Sequence, residues 1–218
     1  FDIHAHLYQT TTVNTPAASI FATGPSEATP DVWFEHVGRH VGADRLRGAL
    51  FIPAPFALND QIDSVNAWVL KMAATRENAK ALALVAHGMS PKQVEPLLAS
   101  PVFAGFKPYH LYASTQPTVN AFPEAYVPEW VWPMAHEHGL AITLHLVRSE
   151  AMADAGNIRF LRQHCERFPD ARVILAHAGR AFHAANARAG VDQLRDLENL
   201  WFDTAAICEP EPFMAILE

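Results

Sequence analysis

Four histidines stand in apolar runs whose alternation fixes the direction of each side chain. Residues two apart on a strand point to one face, so in FDIHAHLY the imidazoles of His4 and His6 project together with Asp2. Phe1, Ile3, Ala5 and Leu7 turn to the opposite face, towards covering helices. Two adjacent imidazoles at a strand end have the spacing of two ligands on one metal ion, although a pair of packed interior histidines gives the same tripeptide. His145 lies near the end of AITLHLV on the face of Thr143, and His177 near the end of VILAHAG, with Gly179 following. Lys107 closes FAGFKPYH on the face of Phe103 and Gly105. Imidazole is the commonest metal ligand, and clustering of this kind points to metal-assisted chemistry rather than to isolated packing.

Strands and helices must bring these residues together. Short β-rich runs recur at 1–8, 46–53, 80–87, 102–109, 140–147, 171–178 and 199–206. Helical spacing fills the intervals: 31–41, 59–76 with Ile62, Val65, Val69 and Met72 on one stripe, 91–99 opened by Pro91, 128–138 with Pro133 as an expected kink, 157–168, and 182–197. Strand followed by helix, repeated, gives right-handed βαβ units and a parallel sheet. A doubly wound sheet normally carries a glycine-rich first turn, and LYQTTTVNTP has none. The pattern therefore predicts an α/β (β/α)8 TIM barrel in one domain over 1–218, incomplete, with seven βα units and the eighth strand beyond residue 218. In such barrels the active site lies at the C-terminal ends of the strands, where all these polar residues fall.

Composition narrows the function further. Half of the 218 residues are hydrophobic and 18% are charged, enough to bury a large core. A net charge of −7 argues against nucleic-acid binding, which needs a basic face. No apolar run approaches the roughly 18 residues of a membrane helix. Cys165 and Cys208 cannot form a disulfide framework, and they fit a reducing, cytoplasmic compartment. There is neither an initiator Met nor a signal-peptide pattern, so the sequence reads as a piece of a longer chain.

The H-x-H at positions 4–6, His145 on the fifth strand and His177 on the sixth resemble the amidohydrolase superfamily. The stretch HLVRSEAMADAGNIRFLRQHCERFPDARVILAHAGR resembles its amidohydrolase-related (amidohydrolase 2) branch, which also contains metal-dependent decarboxylases. The resemblance implies a metal-dependent hydrolase that turns a metal-activated water on an amide, lactone or ester of a small molecule. A non-oxidative decarboxylase on the same scaffold, or an inactive barrel, is the alternative. It implies that His4 and His6 bind the more buried ion and that His145 binds that ion or a second one. His177 would bind a second ion, hold the attacking water or polarise the substrate, which makes His145 and His177 the catalytic candidates. Zn2+ fits best, with Mn2+ or Fe2+ as options, in one or two ions. By the same resemblance Lys107 is either a carbamylated bridge between two metals or an unmodified structural lysine. The family's strand-eight aspartate has no counterpart here, and Asp203, on the seventh strand, is expected to close a hydrogen bond at the barrel mouth.

Arg148 and Arg180 follow strands five and six, and each either clamps a substrate carboxylate or forms a helix-start or surface ion pair. His110 and Tyr112 line the pocket from the strand-four loop, and His87 ends strand three. His36, His40, His136, His138, His164 and His183 read as surface or packing residues. The expected partner is a small-molecule substrate, with no nucleic acid or membrane, and homo-oligomerisation is left open.

Overall fold

The structure is a computed structural model that describes residues 1–13, 23–180 and 182–217. These residues form two compact units: Phe1–Leu84 with Lys92–Ala104, and Val85–Pro91 with Gly105 onwards.

The first unit carries β1 (Asp2–Gln9), β2 (Glu27–Ala28), α1 (Pro30–Val41), β3 (Ala49–Pro53), α2 (Ile62–Ala73) and most of β4 (Ala79–Val85). β1 pairs parallel with β3, and β3 with β4. The two-residue β2, absent from the sequence expectation, pairs antiparallel with the end of β1 through Tyr8 and Gln9. Its brevity hides it from any periodicity. α1 begins where Thr29 accepts a hydrogen bond from the Val32 N–H and Pro30 occupies the first turn, and it ends at Gly42, whose φ of 92° a side chain rarely adopts. In α2, the buried Asn66 donates to the Leu84 carbonyl (2.9 Å) and accepts from the Leu84 N–H (2.8 Å), pinning helix to strand. The expected helix at 91–99 is instead two 3-10 turns, Pro91–Gln93 and Glu95–Ala99, separated at Val94; Pro96, early in the second turn, has no N–H to bond back to the first and so cannot continue an α-helix from it.

The second unit continues β5 (Phe103–Pro108) from Gly105 and adds α3 (Val131–His138), β6 (Ala141–Leu144), α4 (Ala155–Arg167), β7 (Arg172–Leu175), α5 (Ala184–Leu194), β8 (Leu200–Phe202) and α6 (Pro210–Leu217). β5, β6, β7 and β8 pair in that order, all parallel. Pro133 does not kink α3. It is the third helical residue, where its missing N–H would have had no intrahelical acceptor. Asp154 starts α4 by accepting from the Gly156 and Asn157 N–H groups. Leu144, Leu146, Val173, Leu175 and Leu161 form the fully or nearly buried core between strands and helices. All seven expected strands are present, β2 is an eighth among the described residues, and both cysteines are free. No helix among the described residues is long and apolar enough to cross a membrane.

Candidate active site

In the second unit the strand ends present a ring of polar side chains. β5 can lie against β6 because residue 105 is glycine: its φ is 145°, and a Cβ there would sit 1.9 Å from the Ala141 carbonyl oxygen. Two residues on, Lys107 is fully buried, its Nζ without a hydrogen-bond partner and 5.6 Å from the centre of the Tyr109 ring. Burial drives its pKa down from 10.5 to about 7, with the nearby Asp203 carboxylate pulling the other way. At neutral pH a large fraction of this side chain is therefore the free amine.

His145 follows β6 directly, and its ring lies 4.9 Å from Tyr109, 5.1 Å from His110 and 5.0 Å from His177, centre to centre. Its buried Nδ1 has no partner. Burial first, then the charges of Lys107, His177, His110 and Arg180, push its pKa down to about 2, so the ring is neutral. The Tyr126 hydroxyl donates to the His145 carbonyl (3.1 Å) and holds this backbone in place. His110, in a 3-10 turn after β5, contacts the Thr118 hydroxyl through Nδ1 at 3.4 Å and is held to a pKa of about 4 by burial and by Arg180. The Thr143 hydroxyl is likewise buried without a partner.

After β7 the chain makes a left-handed turn: φ is 55° at His177, 47° at Ala178, 64° at Gly179 and 59° at Arg180. Three of these residues are not glycine, and each costs roughly 1–2 kcal/mol in this conformation. Asp203, buried just beyond β8, stabilises the turn. Its Oδ1 accepts from the backbone N–H of His177 (2.8 Å) and of Ala205 (3.0 Å), and its carbonyl accepts from the Ala178 N–H (2.7 Å). The His177 Nδ1 lies 2.9 Å from the Ala205 carbonyl oxygen, which can only accept. Nδ1 therefore carries the proton of the neutral ring, and Nε2 is its lone-pair nitrogen. Ligand atoms of His177 and Asp203 lie within 4.8 Å of each other. The expected hydrogen bond at Asp203 is thus present, but the residue also belongs to the cluster. Sequence counting set it aside because it sat one strand away from the family position. Tyr109, two residues after Lys107, and Tyr126 also touch His145, and no spacing in the sequence marks either of them.

In the first unit the rings of His4 and His6 are 5.1 Å apart, and the His4 N–H donates to Asp2 (2.8 Å). Ala5 and Leu7 are buried on the other face, as alternation requires. Phe1 departs from that scheme: it is 63% exposed, one residue before the strand begins.

The two arginines divide between their two readings. Arg148 is bound at a helix start: Nε donates to Asp154 (2.8 Å), Nη1 to the Asn120 carbonyl (3.1 Å), and the guanidinium stacks 3.9 Å from the Phe122 ring centre. Arg180, 5.8 Å from the Phe182 ring centre, has no carboxylate partner among the described residues. Tyr112 is half-buried in the 3-10 turn of His110, whereas His87 is exposed in the turn after β4. Of the histidines assigned to surface or packing, His164 is buried, with Nδ1 against the Phe160 carbonyl.

The family model described as Amidohydrolase (Amidohydro_2) matches residues 1–213. The chain belongs to this amidohydrolase family. Among solved structures it resembles Amidohydrolase 2 from Bifidobacterium longum subsp. infantis, with a TM-score of 0.63 and 15% identity over 99% of this chain and 77% of that one. A Pseudomonas putida protein assigned as a 2-pyrone-4,6-dicarboxylic acid hydrolase gives 0.62 and 14%, over 99% and 73% of the two chains. The dihydroorotase of Saccharomyces cerevisiae gives 0.53 and 12%, over 99% and 64%. These likenesses show the fold to be that of the TIM-barrel amidohydrolases. No curated protein matches the chain.

Proposed function

We propose that this amidohydrolase is a metal-dependent hydrolase acting on the carbonyl of a small amide, lactone or ester, with His145, His177 and the H-x-H pair His4 and His6 as metal ligands. The observation that carries the reading is the donor chemistry of the second unit. The half-buried His145 is neutral, with its Nδ1 buried and unpartnered, and His177 carries its proton on Nδ1, so that Nε2 is the nitrogen able to coordinate. Metal ligation requires deprotonated nitrogen of this kind, and neutral imidazoles with a nearby carboxylate suit Zn2+, or Mn2+ or Fe2+. Asp203 supplies that carboxylate. The ion, when bound, would lower the pKa of water towards neutrality and polarise the substrate carbonyl.

The chain's own residues do the rest. His177, oriented by the Ala205 carbonyl and by its left-handed turn, would bind an ion at Nε2 or, where it is not a ligand, hold the attacking water there. Lys107 offers an amine near its titration point beside Tyr109, in the position where a carbamate would form. Arg180, lacking a carboxylate of its own, binds an anionic group of the substrate, and His110 and Tyr112 line the same side. The assignment of one solved relative to 2-pyrone-4,6-dicarboxylic acid, a lactone bearing carboxylates, supports such a substrate.

The test replaces His4 and His6 together by Ala and measures metal content and turnover on lactones, amides and aromatic acids. Stoichiometric metal in the native protein and its loss in the variant support the assignment. Full retention overturns it, and release of CO2 from an aromatic acid, without hydrolysis of the other substrates, turns the reading to the decarboxylase.

A further inference from the structure

Away from those strand ends, α1 carries a second pair of histidines with the geometry of a chelate. His36 and His40 are four residues apart, one turn of helix, so their side chains emerge one above the other on the same face. Both are exposed. Their ring centres lie 5.3 Å apart at an interplanar angle of 67°. Two imidazoles bound at nitrogen to one tetrahedral ion, with metal–nitrogen bonds of about 2.0–2.1 Å, have centres roughly 5 Å apart. The pair thus already stands at chelating distance, close to the 5.1 Å of His4 and His6 and the 5.0 Å of His145 and His177.

The helix that holds the pair is well fixed. Thr29 and Pro30 set its start, and Trp33 and Phe34 pack edge-on against Phe51 of β3 at 5.6 and 6.3 Å. From α2's end, Arg76 bonds Asp31 and stacks on the Phe34 ring at 4.7 Å. The apolar face of α1 is therefore turned inward and the histidine face outward. Glu35 and Arg39 pair with each other, so the flanking carboxylate is not drawn to either imidazole.

We propose that His36 and His40 form an auxiliary surface site for a divalent transition-metal ion, bound through both imidazoles with its remaining positions open to water. Nitrogen ligands follow the order that peaks at Cu2+, so Cu2+ is the strongest-binding probe, followed by Ni2+ and Zn2+. The site rests on α1 alone and stands or falls independently of the hydrolase reading.

The experiment titrates chelator-stripped full-length protein with Cu2+ by calorimetry, comparing the native protein with His36→Gln, His40→Gln, the double variant and His138→Gln as an exposed control. The native protein should take up one more Cu2+ than the double variant. Each single variant should weaken that ion at least ~10-fold, because the second donor otherwise acts intramolecularly. The control should match the native protein. Circular dichroism confirms that the variants fold, which exposed positions allow. Unchanged stoichiometry and affinity in the double variant overturns the site, and so does a loss confined to one of the two single variants, since that is the mark of a single ligand rather than a chelate.

Discussion

The two ends of the strands in the second unit treat buried polar groups in opposite ways. At the N-terminal end, the Asn199 side chain donates to the carbonyls of Cys165, Phe168 and Ala171 at 3.2, 3.1 and 3.1 Å, tying the end of α4 to the start of β8. At the C-terminal end, the Nζ of Lys107, the Oγ1 of Thr143 and the Nδ1 of His145 are buried, yet have no hydrogen-bond partner among the described residues. An unsatisfied buried polar group costs roughly 1–3 kcal/mol, so a fold under selection for stability alone would not keep three of them together. One end has been optimised for holding the sheet and the other for meeting a ligand, the division expected of an α/β barrel.

Four experiments break or sharpen that contrast. The largest effect belongs to Lys107. Its folded pKa of about 7 lies below its unfolded value of 10.5, so between those values the unfolded chain holds the extra proton and stability rises with pH. In metal-free protein, Lys107→Met should flatten that rise and stabilise the fold at pH 7 by on the order of a few kcal/mol, read by denaturant titration. A variant as pH-sensitive as the native protein would show that the lysine is not the source. Next comes His177→Asn, which tolerates the left-handed backbone and should leave the melting temperature near native while lowering turnover at least ~10²-fold. Metal content distinguishes its roles: loss of one ion marks a ligand, and constancy marks an orienter of water. Near-normal turnover would make His177 a packing residue.

Asn199→Ala should do the reverse, costing about 2 kcal/mol as three buried carbonyls lose their donor, with turnover per folded molecule unchanged. Equal loss of activity would mean that the two strand ends are not separable. The smallest effect is expected at Asp154→Asn, which keeps the cap on α4 but removes the charge that pairs with Arg148. That partly exposed ion pair should contribute under about 1 kcal/mol, measured as a small shift in denaturation midpoint, whereas Asp154→Ala also loses the cap and about 1 kcal/mol more.

The strand pattern was legible because each parallel strand is a dense apolar run, and His4, His6, Lys107, His145 and His177 were legible because each interrupts such a run near its end. Asp203 was read as a hydrogen-bonding group alone, since nothing in NLWFDTAA shows that the chain after β7 turns left-handed and sets the His177 backbone onto its carboxylate. Arg148 and Arg180 looked equivalent in sequence. Only the fold separates them, because Asp154 comes within reach of one and no described carboxylate within reach of the other. The helix expected at 91–99 failed for a local reason, a second proline inside the window, which the spacing of apolar residues does not weigh.

The left-handed turn at residues 177–180 also limits what evolution or an engineer can write there. Ala178 and Arg180 occupy backbone angles that a β-branched side chain resists most, and at Gly179 an added Cβ would meet the Met152 side chain at 2.9 Å. Valine, isoleucine or threonine is thereby barred from three neighbouring positions, whatever its effect on chemistry. Libraries aimed at new substrates would sample this segment poorly, and diversity is better placed in the loop after β5, where Leu111 and Val119 stand exposed and the backbone imposes no such filter.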